Sequence, residues 1–314
     1  MIIDRSGASA LIPEEVSREI IQSLPTTSIV MQLGRRLPNM TKKTTRMPVL
    51  SVLPQAYFVN GDTGLKRTTN MAWSNKFLEA EELAVIVPIP EAVLDDADYD
   101  IWGEVRPRLI EALAAKFDAA VLHGENAPSS WPDDILTGAT AAGHVVDLSN
   151  VEATGDIYDA VLGVDGLLSK VENDGFGVNG HLALNSMKGK YRGLRGEDGH
   201  PIFIQTMQQA SNYALDGQPI YFVKNEEAVM DNSIALQISG DWNQLVYAIR
   251  QDFTFKVLTE ATLTDSAGNV ILNLPQQDAV ALRVVMRVAW QLPNPINGAN
   301  HNESTRYPFA VLVP

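Results

Sequence analysis

Residues 47–90 constrain the chain more than any other stretch. Two extended runs, MPVLSVLPQAYFVN (47–60) and KFLEAEELAVIVPIP (76–90), flank a polar segment, GDTGLKRTTNMAWSN (61–75). The second run carries weak alternation and β-branched residues at Val85, Ile86, Val87 and Ile89, the composition of a strand. The linking segment is too long and too polar for a tight hairpin turn. The pattern predicts a long two-stranded loop that projects from a body. An isolated two-stranded ribbon is marginal in water, so it has to rest on something, and a second subunit is the nearest candidate.

The rest of the chain supplies the body. At 314 residues it has room for about two domains or one elaborate one. Residues 1–50 read as an arm, with a short helix opened by Ile12-Pro13-Glu14-Glu15 and closed by Pro25. A basic stretch follows, Arg35, Arg36, Lys42, Lys43 and Arg46, with no acid between Glu19 and Asp62. The strongest helical signal lies at 94–123. Asp95, Asp96, Asp98 and Asp100 suit a helix N-terminus. Ile110, Leu113, Phe117, Ala120 and Val121 then make one apolar stripe, and Gly124 stops it. Pro107 predicts a kink or a broken first turn. Residues 125–154 read as irregular and 155–172 as one amphipathic helix capped near Asp156. Strands are expected in HLALN, IFIQ, IYFV, SIALQIS, NQLVYAIRQDFTFKVL, NVILNL, AVALRVVMRVAWQL and YPFAVLV, with a helix or turn in SMKGKYRGLRGEDG. The fold class is α+β, with long strands far apart in sequence.

Composition and motifs narrow the chemistry. The chain has 24 Lys+Arg against 38 Asp+Glu, a net charge of −14, which disfavours a sequence-specific DNA reader. It has no Cys, so disulfides, thiolate metal sites and Cys nucleophiles are ruled out. No apolar run is long enough to cross a membrane, and acids near the N-terminus argue against a signal peptide. Gly175, Gly177 and Gly180 spell G-x-G-x-x-G, but with a helix before and a strand after, the reverse of a dinucleotide site. Asp96, Asp98 and Asp100 open like a calcium loop, yet Ile101 and Pro107 stand where Gly and Glu are needed. The five His residues show no metal spacing, and no nucleophile elbow or phosphate loop occurs. No cofactor, metal or catalytic residue is indicated. A carboxylate-based enzyme with a scattered site stays open, because paired carboxylates leave no local signature.

The order of segments resembles the major capsid protein of tailed bacteriophages, the Hong Kong 97-type fold. LIPEEVSREII (11–21) is similar to that family's N-terminal arm. The most specific stretch is 77–126, with a loop-return strand, an acidic approach and a long helix ending in D-x-A-x-x-x-G at Asp118, Ala120 and Gly124. LNSMKGKYRGLRGEDGHPIF (184–203), LDGQPIYFV (215–223) and ISGDWNQLVYAIRQDFTFKV (238–257) resemble later family segments. The C-terminal stretch resembles the closing strands, with Arg-x-x-x-Arg and a variant ending at Pro308, Ala310 and Val313. The resemblance implies an N-arm at 1–50 and an extended loop at 51–90. It implies a peripheral domain at 91–174 with a spine helix at 96–123, an axial domain at 175–263, and peripheral return strands at 264–314.

It further implies a non-enzymatic shell subunit of a virion. Such a subunit assembles with itself into pentamers and hexamers around packaged double-stranded DNA, in the host cytoplasm, without a membrane. Portal protein, a separate scaffolding protein and a decoration protein are the implied partners. Scaffolding is expected from a separate or removed segment, because the sequence begins at the arm. The alternative is an encapsulin-type compartment enclosing a cargo enzyme. Some family members join a loop Lys to an Asn with help from a Glu. Lys66 or Lys76 could supply the first, but DAVALRVVMRVAWQ (278–291) has neither Asn nor Glu, so no crosslink is expected. The expected subunit contacts are the loop residues Gly61, Asp62, Gly64, Lys66, Arg67 and Trp73. The basic set Arg35, Arg36, Lys42, Lys43 and Arg46 is expected to meet a neighbour's acids at Asp95, Asp96, Asp98 and Asp100.

Overall fold

A computed structural model describes residues 28–314 except 60, 62–63, 96–100, 153–155, 196–197, 201–212, 224–229 and 266. The arm helix at 12–24 and the strand expected at IFIQ lie outside the described residues. So do Asp62, Asp96, Asp98 and Asp100.

Two sheets organise the chain. The first is built on two thirteen-residue strands, β10 (Val246–Leu258) and β13 (Ala279–Gln291), paired antiparallel. β1 (Arg35–Arg36) flanks β10 and β4 (Glu81–Pro90) flanks β13, giving the order β1-β10-β13-β4, while β11 (Thr262–Thr264) and β12 (Val270–Asn273) pair with each other between β10 and β13 in sequence. The period-2 pattern of β13 sorts its side chains by face. Leu282, Val284, Met286, Val288 and Trp290 enter the main core, while Arg283, Arg287 and Gln291 stay half-buried on the opposite face.

Helix α3 (Ile101–His123), which follows α1 (Ile29–Leu33) and α2 (Glu91–Asp95), lays its apolar stripe against that core. Phe117, Trp131 and Trp290 meet edge to face at 6.0 and 6.5 Å. The helix ends where Gly124 takes φ 72°, a conformation that favours glycine. It runs through Pro107 without interruption, so the expected break is absent.

The second sheet has six strands: β5 (Val145–Asp147), β14 (Phe309–Val313), β9 (Gln237–Gly240), β6 (Gly180–Leu184), β8 (Gln218–Val223) and β7 (Ala214–Leu215), in that order. Every residue of β6 and β9 is buried, so these central strands do not alternate between core and solvent faces, and they bury polar His181, Gln237 and Ser239 among apolar and small residues. Helices α4 (Ile135–Ala142), α6 (Ile157–Leu162) and α7 (Leu167–Asn173) contribute to the same core, α5 (Leu148–Glu152) lies between them in sequence, and α8 (Met187–Gly193) follows β6. The segment read as irregular therefore contains α4, β5 and α5. The single helix expected at 155–172 is two, divided at Gly163–Gly166. The backbone there folds so tightly that a Cβ at Gly163 would meet the carbonyl of Asp159.

The segments that carried the family resemblance resolve into local geometry. Asp216 (φ 49°) and Gly217 (φ 76°) form the two-residue turn joining β7 to β8. Gly240 abuts the Pro308 carbonyl and Phe309, with no room for a Cβ. Asp241 caps the next turn through Asn243 N, and buried Trp242 donates from Nε1 to Gly180 O at 3.0 Å. Gly240→Ala is expected to cost about 1–3 kcal/mol, as overpacking does, and to lower the subunit's melting temperature. A melting curve matching the parent would show that the sheet gives way at no cost.

Candidate assembly surface

The projecting element is a ribbon of β2 (Thr44–Val52) and β3 (Ala72–Glu79), paired antiparallel from Thr44↔Glu79 to Val52↔Ala72. A nine-residue strand spans about 31 Å. The expected boundaries need correction. The run at 76–90 is two strands: β3 closes the ribbon, and β4 belongs to the four-stranded sheet. The chain switches sheets at Ala80, which is buried with Leu78, Val246 and Ala289 in a small cluster at the ribbon's base. Trp73, read as part of the linking segment, sits inside β3 opposite Leu50.

The base is pinned to the body. Lys43 reaches Glu81 at 3.0 Å, and Lys76 reaches Glu303 at 2.7 Å. Gln291 Nε2 donates to Phe77 O at 2.8 Å, Trp131 Nε1 to Glu79 O at 3.0 Å, and Ile296 N to Leu50 O at 3.1 Å. The Lys43 ammonium holds the Glu81 carboxyl below its ordinary range, and Lys76 does the same for Glu303.

Beyond Val52 and before Ala72 no described residue is buried. Gln55 N donates to Thr69 Oγ1 at 2.9 Å, and Arg67 lies over the Tyr57 ring at 5.5 Å. Gly61 takes φ 75° at the bend. Ribbon and tip expose Tyr57, Phe58, Leu65, Met71, Trp73 and Phe77, with Phe58 wholly bare and Leu65 88% exposed. Such a concentration of large exposed apolar groups makes the ribbon and tip the candidate contact surface.

The other expected contacts are placed as follows. Arg35 and Arg36 are the short edge strand β1, parallel to β10, and Arg36 Nη2 donates to Asn39 Oδ1 at 3.1 Å. Lys42, Arg46 and Lys66 are exposed, as are Gly61 and Asp95, while Gly64 is half-buried. Lys43 and Arg67 are engaged within their own chain, so two cations assigned to a neighbour already have intrachain company.

Composition could not show two buried polar clusters. Asp174 accepts from Asn300 Nδ2 and Tyr307 N, both at 2.8 Å, and lies 3.1 Å from His144 Nε2. Arg306 donates to Asn294 and to the Asn300 carbonyl, fixing the loop between β13 and β14. In the six-stranded sheet, Tyr191 donates to Gln237, Gln237 Nε2 to Ser239 Oγ at 3.0 Å, and Ser239 lies 2.8 Å from His181 Nδ1. Leu215 O takes the other ring nitrogen at 3.2 Å. The pairing of a serine with a histidine invites a catalytic reading, but both are fully buried and all their groups are engaged. Burial pushes the His181 pKa down to about 4, so the ring is neutral at pH 7. Among the described residues no group of three or more His, Asp or Glu is placed to hold a metal ion. No helix among them is long and apolar enough to cross a membrane.

The described residues thus combine a ribbon pinned at its base with a tip rich in exposed apolar side chains. Residues 8–296 match the family described as "Phage capsid family", and the chain belongs to that family. It is 27% identical over 279 residues to the major capsid protein of Staphylococcus phage 80alpha, covering 88% of this chain and 79% of the relative. Among solved structures, one from Microbacterium phage Oxtober96 superposes with a TM-score of 0.77 at 34% identity, covering 92% of this chain and 91% of that one. One from Mycobacterium phage Adephagia gives 0.77 at 29% identity, covering 100% and 98%. The chain is a structural protein of a bacteriophage capsid, and an encapsulin-type compartment is not favoured.

Proposed function

We propose that this chain self-assembles into pentamers and hexamers that close an icosahedral shell around packaged double-stranded DNA. In this reading β2, β3 and the tip between them are the extended loop, α3 is the spine helix, and the residues before β2 form the arm. The six-stranded sheet and its helices surround the axes, and the four-stranded sheet is the periphery. One observation carries the reading: the ribbon exposes Phe58, Leu65, Trp73 and Phe77 while its base is held by Lys43–Glu81 and Lys76–Glu303. A projection built this way is rigid at its root and unsatisfied at its end. Head-to-tail contacts of this kind close into rings when the rotation permits. Scaffolding, portal and decoration proteins would be separate chains, and assembly would take place in the host cytoplasm. The negative net charge suits a shell that does not grip its genome tightly.

Electron microscopy of the purified protein is the test. Rings or closed shells are expected. A single monomeric species at every concentration and salt would overturn the proposal.

The shell is expected to be free of covalent crosslinks. Lys76 is occupied by Glu303, and residues 278–291 offer no Asn acceptor and no Glu base. Boiled particles should run as one band near 34 kDa, the mass of the chain. A ladder of heavier bands would contradict this.

A further inference from the structure

The Arg-x-x-x-Arg of β13 splits into two residues with different fates. Arg283 and Arg287 are four residues apart on one strand and so share the face turned away from α3. Arg287 is satisfied: its Nε and Nη2 donate to Glu82 Oε2 on β4 at 3.1 and 2.8 Å. Arg283 has no such partner. Its neighbour on β4 is Ile86, and its register partner on β10 is Lys256.

Lys256 and Arg283 are therefore two cations directly opposite each other on one face of an antiparallel pair, an arrangement that repels. Neither has an ion pair or a hydrogen bond among the described residues. The Arg283 Nε is shielded from solvent as well, a buried donor with nothing to bond. Lys256 is exposed and Arg283 half-buried, so the pair is reachable from outside.

Both flanks of this face are covered. Met40, Leu78 and Ala80 lie over one end, and Leu274 with Leu263 and Leu272 over the other. Between them the face is open, with exposed Ile86 beside the cations. The carboxylate-lined groove on the far side of β4 makes a contrast. There Glu81, Glu82 and Glu125 each already hold a cation, so that groove is electrically complete.

We infer that Lys256 and Arg283 form a receiving site for the carboxylate of a second copy of this chain. This inference rests on the assembly proposed above. Charge complementarity selects that occupant. The chain carries 38 acids against 24 bases. At the same end of the molecule Glu91, Asp95, Glu260 and Asp278 are exposed and have no ion-pair partner among the described residues. One copy thus carries unanswered anions, the other unanswered cations, and each copy carries both. A contact between unlike patches on identical subunits is heterologous and propagates from copy to copy.

The experiment compares wild-type protein with Lys256→Gln/Arg283→Gln and with Arg287→Gln. The readouts are the melting temperature of unassembled subunits and the concentration at which shells form, by light scattering and electron microscopy. The double variant is expected to melt at or above the wild-type temperature, because a cross-strand repulsion is gone. Its threshold for assembly should rise about tenfold or more, and Arg283→Lys should recover part of that loss. Arg287→Gln should instead lower the melting temperature of the subunit itself, through loss of Glu82. Shells forming at the wild-type threshold from the double variant would overturn the inference while leaving the capsid reading intact. A fall in the double variant's melting temperature would overturn it too, because the anion would then belong to the same chain. Normal shells that retain less DNA would assign the site to phosphate rather than to a second copy. Failure of the wild-type protein itself to assemble would overturn the capsid reading and this inference with it, a result distinct from a defect confined to the double variant.

Discussion

Replacing residues 53–71 with Asn-Gly is expected to leave a folded subunit that no longer builds shells. Val52 and Ala72 are register partners across the ribbon. A two-residue turn between them is the connection a right-twisted hairpin favours. No described residue in the removed stretch is buried, and the clusters at the ribbon base and in the main core lose none of their members. The subunit's melting temperature should therefore shift by no more than a few degrees. Assembly should suffer far more. The deleted tip carries Phe58 and Leu65, bare in the isolated chain. Covering one such side chain is worth about 1.5–3 kcal/mol, so losing two removes about 3–6 kcal/mol from each contact before any ordering cost is counted. That is at least a hundredfold in the association constant, repeated at every subunit. The milder Phe58→Ala/Leu65→Ala should raise the assembly threshold in the same direction. Unfolding of the deletion variant would place the tip in the core. Normal shells would show that it bridges nothing.

The ribbon also shows where sequence patterning suffices. Apolar alternation flanking a polar, glycine-containing stretch was enough to read two strands and a projection. It was not enough to say where the second strand ends. Residues 76–90 are continuously strand-like, and the handover between sheets at Ala80 leaves no turn residue behind. What fixes the boundary is tertiary: Leu78 and Ala80 bury against Val246 and Ala289, more than 160 positions away in sequence. The two short helices at 157–162 and 167–173 merged for the opposite reason. Their combined apolar periodicity looks helical throughout, and the glycines between them are weak signals in an amphipathic stretch.

Which residues of the ribbon and tip are exposed was legible only in part. Lys66, Arg67 and Trp73 stood out because charge and a large aromatic cluster in a polar loop. Phe58 and Leu65, the most exposed apolar residues of the tip, did not stand out, Phe58 among apolar neighbours and Leu65 as a lone leucine in a polar stretch, because exposure is not written in residue type. The basic set divides in the structure in a way that residue type does not show. Lys43 pairs with Glu81 in its own chain, while Arg35 and Arg36 join a sheet through their backbone and keep exposed side chains. Arg283 was visible only as half of a motif. That it lacks what Arg287 has required knowing which residues of β4 and β10 stand opposite each.

Asp118→Ala is expected to be the most damaging single substitution to the subunit. Asp118 lies on α3, buried to 1% exposure, and no cation among the described residues pairs with it. Instead it caps α1. Ser28 Oγ donates to its Oδ1 at 2.5 Å, Ile29 N to Oδ2 at 2.9 Å and Val30 N to Oδ1 at 3.3 Å. The hydroxyl of Ser28 in turn accepts from Met31 N, closing the first turn. Alanine would orphan these donors where water cannot reach. At about 1–3 kcal/mol for each unsatisfied group, a loss of about 3–5 kcal/mol follows. For a chain of 314 residues that is a fall of about 5–8 °C in melting temperature.

The same carboxyl makes stability depend on pH in a definite direction. Burial pushes its pKa from 3.8 up to about 7, outweighing the three donors that favour the charged form. A carboxyl raised in the folded state holds its proton more tightly there than in the unfolded chain. Its contribution therefore falls as pH rises from about 4 to about 7, and is level beyond. His181, lowered to about 4, works in the opposite sense, costing stability as pH drops below about 6.5. Their sum in one protein conceals both. Asp118→Asn separates them, because the amide cannot titrate while the histidines remain. The difference in melting temperature between wild type and Asp118→Asn should widen in favour of wild type from pH 7 toward pH 5. A difference that stays constant across that range would mean Asp118 is ionised throughout, held by Ser28, Ile29 and Val30 more strongly than burial opposes it.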